Sequence, residues 1–121
     1  MTSIRFDARI DAKALERVRS IVAANEGGCA AYFDIDGTLV TDDNHPNIHV
    51  LALLKFLHDR KARIFLWSAG GDENCRRVAR EYGIEWMIEA YLPKPVISVD
   101  DMRYDDYVFV KLHPGDLAPK E

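Results

Sequence analysis

The sequence is poor in cysteine, carries no excess of basic charge and contains no long apolar run, and each of these absences excludes something. Two cysteines, Cys29 and Cys75, in 121 residues rule out a disulfide framework, and their separation fits no zinc-binding spacing. We read both as reduced, buried, small apolar side chains. The net charge of −4 withholds the broad positive field that binding to nucleic acid or to an anionic membrane draws on. No apolar stretch approaches the ~20 residues that span a bilayer, and residues 1–10 lack the apolar core of a signal peptide. A cytoplasmic protein with no membrane partner is therefore expected. Repeats and low-complexity segments are absent too, so nothing marks a domain boundary. What remains is 48% hydrophobic and 30% charged, an ordinary globular composition with enough chain for one core.

The apolar periodicity alternates between strand and helix. Ile4, Phe6, Ala8 and Ile10 alternate with polar residues, which fits either a half-buried strand over residues 3–10 or a loosely held arm. Asp11 is placed to cap a helix carrying Leu15, Val18, Ile21 and Val22, and Asn25-Glu26-Gly27-Gly28 supplies its stop. Residues 29–33 then form a continuous apolar run, the pattern of a strand buried on both faces. A polar turn over residues 41–47 precedes a helix with the stripe Val50, Leu53, Leu54 and Leu57. Residues 64–67 form a second apolar strand, and Asp72 is expected to cap a helix that Gly83 ends. Short strands are expected at residues 86–88, 96–99 and 107–111, before a frayed tail. Strands alternating with helices imply right-handed crossovers and an α/β fold: a doubly wound, mostly parallel, three-layer sheet. The expected organisation is one domain, with residues 1–28 as arm and helix, 29–111 as core and 112–121 as tail.

The segment Tyr32-Phe33-Asp34-Ile35-Asp36-Gly37-Thr38-Leu39-Val40 breaks the strand pattern in an informative way. A buried strand ends in two carboxylates one residue apart, on the same side of an extended chain. Their repulsion has to be relieved by a cation, a shared proton or solvent. Mg²⁺ suits such oxygen donors and also suits phosphate oxygens. The second core strand likewise stops at small polar residues, Ser68-Ala69-Gly70-Gly71. In parallel sheets ligands collect beyond the carboxyl ends of the strands, so Asp34, Asp36, Ser68, Lys94 and Asp100 are expected around one crevice. Taken singly, each has a plainer reading: Asp36-Gly37 as a turn, Ser68 as a helix-approach residue, Lys94 and Asp100-Asp101 as solvated loop charges.

Taken together and in this order, these segments resemble the haloacid-dehalogenase superfamily of phosphatases, in its small capless form. The resemblance rests on Asp34-Ile35-Asp36-Gly37-Thr38, on Ser68 after an apolar strand, on Lys94, and on Asp100-Asp101. It covers about residues 29–110. It implies Asp34 as nucleophile, Asp36 as general acid and base, and Ser68, Ala69 and Lys94 as phosphate ligands. It also implies Mg²⁺ held by Asp34, the Asp36 carbonyl and Asp100, with Thr38 and Asp101 as supporting residues. Asp101 stays open between that support and surface charge, and Asp105 is read as surface.

The spacing leaves no room for an inserted cap, so the site is expected to be open. An open crevice encloses little of a small ligand, which points to a large or polymer-linked phosphorylated substrate, or to a homo-oligomer that supplies a lid. A non-catalytic metal- and phosphate-binding module that engages a protein partner is the alternative. Nucleic-acid end processing, through a basic face of Arg76, Arg77 and Arg80, is a third reading, weighed against a plain solvated helix face.

Overall fold

In the computed structural model, which describes residues 4–25 and 27–120, three parallel strands run side by side in the order β1-β2-β3. They are β1 (Ala30–Asp34), β2 (Arg63–Ser68) and β3 (Ile88–Pro93). Helix α1 (Ala12–Ala24) precedes β1, α2 (Ile48–Asp59) joins β1 to β2, and α3 (Asp72–Tyr82) joins β2 to β3. The fold is thus α/β in character, with a small parallel sheet. Residues 1–3, 26 and 121 of the expected arm, helix stop and tail lie outside the described residues. Among the described residues no helix is long and apolar enough to cross a membrane.

Local chemistry accounts for most helix ends. The Asp11 side chain accepts the amide of Ala14, which fixes the start of α1. Asn47 does the same for α2, taking the amides of His49 and Val50. Gly83 closes α3 with φ +66, a left-handed conformation that glycine adopts without a Cβ clash. Asp72, expected as the cap of α3, is instead its first residue. Gly71 occupies the cap position and offers no side chain, while Asp72 pairs with Arg76 at 3.4 Å.

Right-handed crossovers advancing in one direction put α2 and α3 on the same face of the sheet. Phe33, Ile64 and Leu66 pack there against Val18, Leu51, Leu54, Leu57, Val78 and Ala79, forming the core. Each fully buried leucine in it contributes about 1.5–3 kcal/mol of hydrophobic stabilisation. The alternate residues face the other way. Tyr32, 48% exposed, stacks on Phe65 and meets Trp67 edge-on, both with ring centroids 4.9 Å away.

Several expected elements differ. Residues 4–10 keep the alternating burial of a strand but pair with none; the arm packs instead on the core through Ile4, Phe6 and Ile10, and the Arg9 carbonyl meets His49 Nδ1 at 3.0 Å. The short strand expected at residues 86–88 is a 3₁₀ turn, Glu85–Met87, with β3 beginning only at Ile88. No strand forms at residues 96–99, where Val96, Ile97 and Val99 are 97%, 82% and 97% exposed, or at residues 107–111, where a one-turn helix α4 (Tyr104–Tyr107) ends. These segments have the β-branched composition of strands, but a strand exists only when another strand takes its hydrogen bonds. The tail is not frayed: Leu117 is buried in the core and its carbonyl accepts the Asp11 amide at 2.8 Å.

Candidate functional site

The carboxyl ends of the three strands each deliver one chemically useful residue: Asp34 from β1, Ser68 from β2 and, one residue beyond β3, Lys94. Backbone hydrogen bonds set their positions. The Lys94 amide donates to the Ser68 carbonyl at 3.0 Å, extending the β2–β3 pairing past Pro93, and the Gly71 amide takes the same carbonyl at 3.1 Å.

Lys94 Nζ then reaches back across the end of β2 to Asp34 Oδ1 at 3.3 Å, passing 5.7 Å from the centre of the Trp67 ring. Thr38 Oγ1 donates to the other oxygen, Asp34 Oδ2, at 3.3 Å. The carboxylate is thus held from two sides while remaining about one-third exposed. Gly37, at φ +82, lets the chain fold back after Asp36. Its amide bonds the Val40 carbonyl at 2.8 Å, and the Thr38 amide bonds the Ile35 carbonyl at 3.0 Å. Those bonds keep Thr38 over Asp34.

Ser68 is the one buried polar side chain among the described residues, 2% exposed. Its hydroxyl oxygen accepts the Gly70 amide at 3.0 Å and Asn74 Nδ2 at 3.3 Å. Both are acceptor contacts, which leaves the O–H to donate. Asn74 was missed by the sequence reasoning, yet it ties the site together. The same Nδ2 donates to Asp36 Oδ2 at 3.1 Å, and Arg77 holds Asn74 Oδ1 at 2.7 Å. A signal was present: Asn74 lies in the first turn of the helix that follows the Ser68 strand, facing the same crevice. Because Gly71 provides no side-chain cap, the first amides of α3 remain available to an anion, reinforced by the helix dipole. Beneath this loop lies Cys75, fully buried, its thiol pushed up in pKa chiefly by burial.

The remaining sequence candidates fall outside this group or at its margin. Ala69 is exposed at the exit of β2. Asp100 and Asp101 are exposed, and Asp100 Oδ1 accepts the Met102 amide at 3.0 Å. Asp105 lies exposed in α4, as read from the sequence. Two of the three arginines of the expected basic face are engaged by acids: Arg76 with Asp72 and Glu73, and Arg77 with Glu81. That face carries alternating charge, as a solvated helix does.

Magnesium was expected on Asp34, the Asp36 carbonyl and Asp100. Both oxygens of Asp34 are engaged, by Lys94 and Thr38, and Asp100 turns to its own loop. Among the described residues no three Asp, Glu, His or Cys side chains are grouped to hold a metal ion. As arranged in a single chain, these residues do not fit the expected cation. Comparison with protein-family models, with curated proteins and with solved structures returns no match.

Proposed function

We propose that the chain is a phosphomonoester hydrolase that works through an aspartyl-phosphate on Asp34. The observation that carries this reading is the convergence of a carboxylate, an ammonium and a buried hydroxyl, with a second carboxylate joined to them by Asn74. An Asp34 oxygen attacks phosphorus and the bond to the leaving oxygen breaks. Asp36, in its acid form, protonates that leaving oxygen; as carboxylate it then takes a proton from the water that hydrolyses the acyl phosphate. Lys94, the Ser68 hydroxyl and the first amides of α3 bind the equatorial oxygens, whose charge the transition state spreads. Thr38 holds Asp34 in a fixed orientation, as near-attack geometry demands.

The finer fold in this reading is the three-layer, doubly wound sheet of the haloacid-dehalogenase type. Mg²⁺ is its expected cation, and a phosphate ester carried on a large molecule is its substrate class. Incubation with an aryl phosphate and Mg²⁺ tests it: turnover is expected for the wild type and lost in Asp34→Asn and Asp36→Asn, and the phosphorylated peptide should contain Asp34. Turnover that survives both substitutions overturns it. One observation favours a second reading, a non-catalytic phosphate-binding module: the cation donors are not assembled within one chain. Phosphate binding by an inactive wild type that weakens in Lys94→Met would establish that reading instead.

A further inference from the structure

The sheet is buried on one side only. Phe33, Ile64 and Leu66 face the core, whereas the alternate residues Tyr32, Phe65 and Trp67, with Ala90 and Leu92 beside them in register, form the opposite face. Tyr32 is exposed and the other four are half-buried. All-parallel sheets occur almost only with both faces covered, so this aromatic face calls for a cover.

A stretch suited to that task begins at the edge of the same face. Residues 95–107 are exposed without a break, and they include Val96, Ile97, Val99 and Met102 among the exposed large apolar side chains. The Met102 amide bonds Asp100, the Arg103 amide bonds Asp106, and the Val108 amide bonds the Tyr104 carbonyl. These bonds close within the stretch, so a swing of the whole keeps them. Both ends are anchored: Lys94 donates its amide to Ser68, and Val110 and Leu112 pack on the core.

The reach is sufficient within one chain. Val99 lies five residues beyond Lys94, up to about 17 Å along an extended chain. The Trp67 strand is one strand spacing from β3, about 5 Å, and a covering layer stands about 10 Å above the sheet. From Val99, the chain to Val110 extends up to about 35 Å, enough to return to the core. The Lys94 side chain already lies on this face, 5.7 Å from the centre of the Trp67 ring.

We propose that residues 95–107 are a strap that closes over the aromatic face of their own sheet. Ile97 and Val99 alternate with Ser98 and Asp100, so an extended strap turns one apolar and one polar side. The apolar side meets Trp67, Phe65 and Tyr32, and Ser98 and Asp100 stay in solvent. Closure also covers the flank of Asp34 and Lys94, since Asp34 is in register with Trp67 and pairs with Lys94. Exclusion of water there strengthens the attraction between the ammonium and an incoming phosphate. That consequence rests on the hydrolase reading; the closure itself does not.

Nuclear magnetic resonance of the full chain tests the closure directly. Contacts from the methyl groups of Ile97 and Val99 to the rings of Tyr32, Phe65 and Trp67 are expected in the wild type, and their absence overturns the strap. Isotope-filtered spectra of labelled chain mixed with unlabelled chain should show no such contacts between copies. Contacts between copies would make the cover a second chain and overturn the strap. In a Trp86→Phe background, Ile97→Asp/Val99→Asp and the milder Ile97→Ser/Val99→Ser should raise acrylamide quenching of Trp67 with an unchanged circular-dichroism spectrum. Quenching equal to that of the background overturns the strap. The same double substitutions should lower kcat/KM for an aryl phosphate. An active wild type whose turnover they leave unchanged overturns the effect on the site. A wild type that shows the contacts but no turnover supports the strap and overturns the hydrolase reading.

Discussion

Lys94 Nζ lies 3.3 Å from Asp34 Oδ1 although their strands, β3 and β1, are not neighbours. The lysine spans the end of the intervening β2, over the Trp67 ring. A cation beside the proposed nucleophile offsets the repulsion between a carboxylate and an incoming phosphate, and it does so most when charge develops on the transferring group.

Replacing Lys94 with Met keeps the aliphatic stem and removes the charge. We expect kcat/KM for an aryl phosphate to fall by about 10²–10³-fold, the range seen when one preorganised charge donor is lost. The ion pair is more than one-third exposed on the lysine side, so solvent screening limits its stability contribution to about 1 kcal/mol or less. A thermal melt close to the wild type, beside the kinetic loss, checks both halves. Equal loss in melt and turnover would assign the pair a structural role.

Asn74 is expected to act as a positioning residue for Asp36 and Ser68, since one Nδ2 donates to both. In Asn74→Ala the Asp36 side chain loses this fixed donor, and misplacement of a reacting group by about 1 Å costs up to ~10²-fold in rate. A fall in kcat of about 10–100-fold is expected, with KM less affected. An unchanged kcat, or a loss confined to the thermal melt, would show that Asn74 serves only the loop.

How much of this was legible in sequence divides along one physical line. Most elements whose partners are close in the chain were read well, although Gly71 and not Asp72 holds the cap position of α3. Asp11 capping α1, Gly83 ending α3 and the apolar stripe of α2 need only local geometry. Asp34, Ser68 and Lys94 followed from strand ends in a parallel sheet. The segments at residues 96–99 and 107–111 were misread because composition reports a preference for strand and not the presence of a partner. Leu117 was missed for the opposite reason, since its anchoring depends on the distant N-cap of α1. Asn74 was hidden because a polar residue in the first turn of a helix is unremarkable until its two acceptors are known.

The cap of α1 gives a stability test with a defined pH sign. The Ala14 amide at the Asp11 carboxylate is the main cause holding its pKa below the usual carboxylate value. A group depressed on folding stabilises the folded state above its unfolded pKa, and the contribution disappears as pH falls through the folded one. Asp11→Ala should therefore melt below the wild type at neutral pH, with a constant gap down to about pH 5. Below the usual carboxylate pKa of about 3.9 the gap should narrow as the wild-type carboxyl protonates. A gap that stays constant through that range would mean that the charge on Asp11 is not what the cap uses.

The two cysteines should differ in reactivity, because only one is closed off. Cys75 is fully buried beneath the site loop, with its Sγ 3.8 Å from the carbonyl oxygens of Gly71 and Leu92, whereas Cys29 is partly exposed at the approach to β1. Burial raises both thiols, and alkylation needs the thiolate as well as access. Iodoacetamide at mildly alkaline pH is thus expected to modify Cys29 slowly and to leave Cys75 untouched until the chain unfolds, as peptide mass spectrometry would read. Phosphate should leave Cys75 protection unchanged, since that thiol faces the core below the loop and not the crevice. Rapid native labelling of Cys75 would mean that the loop from Ser68 to Asp72 opens readily, and the fixed positions of Ser68 and Asn74 could not then be a resting property of the site.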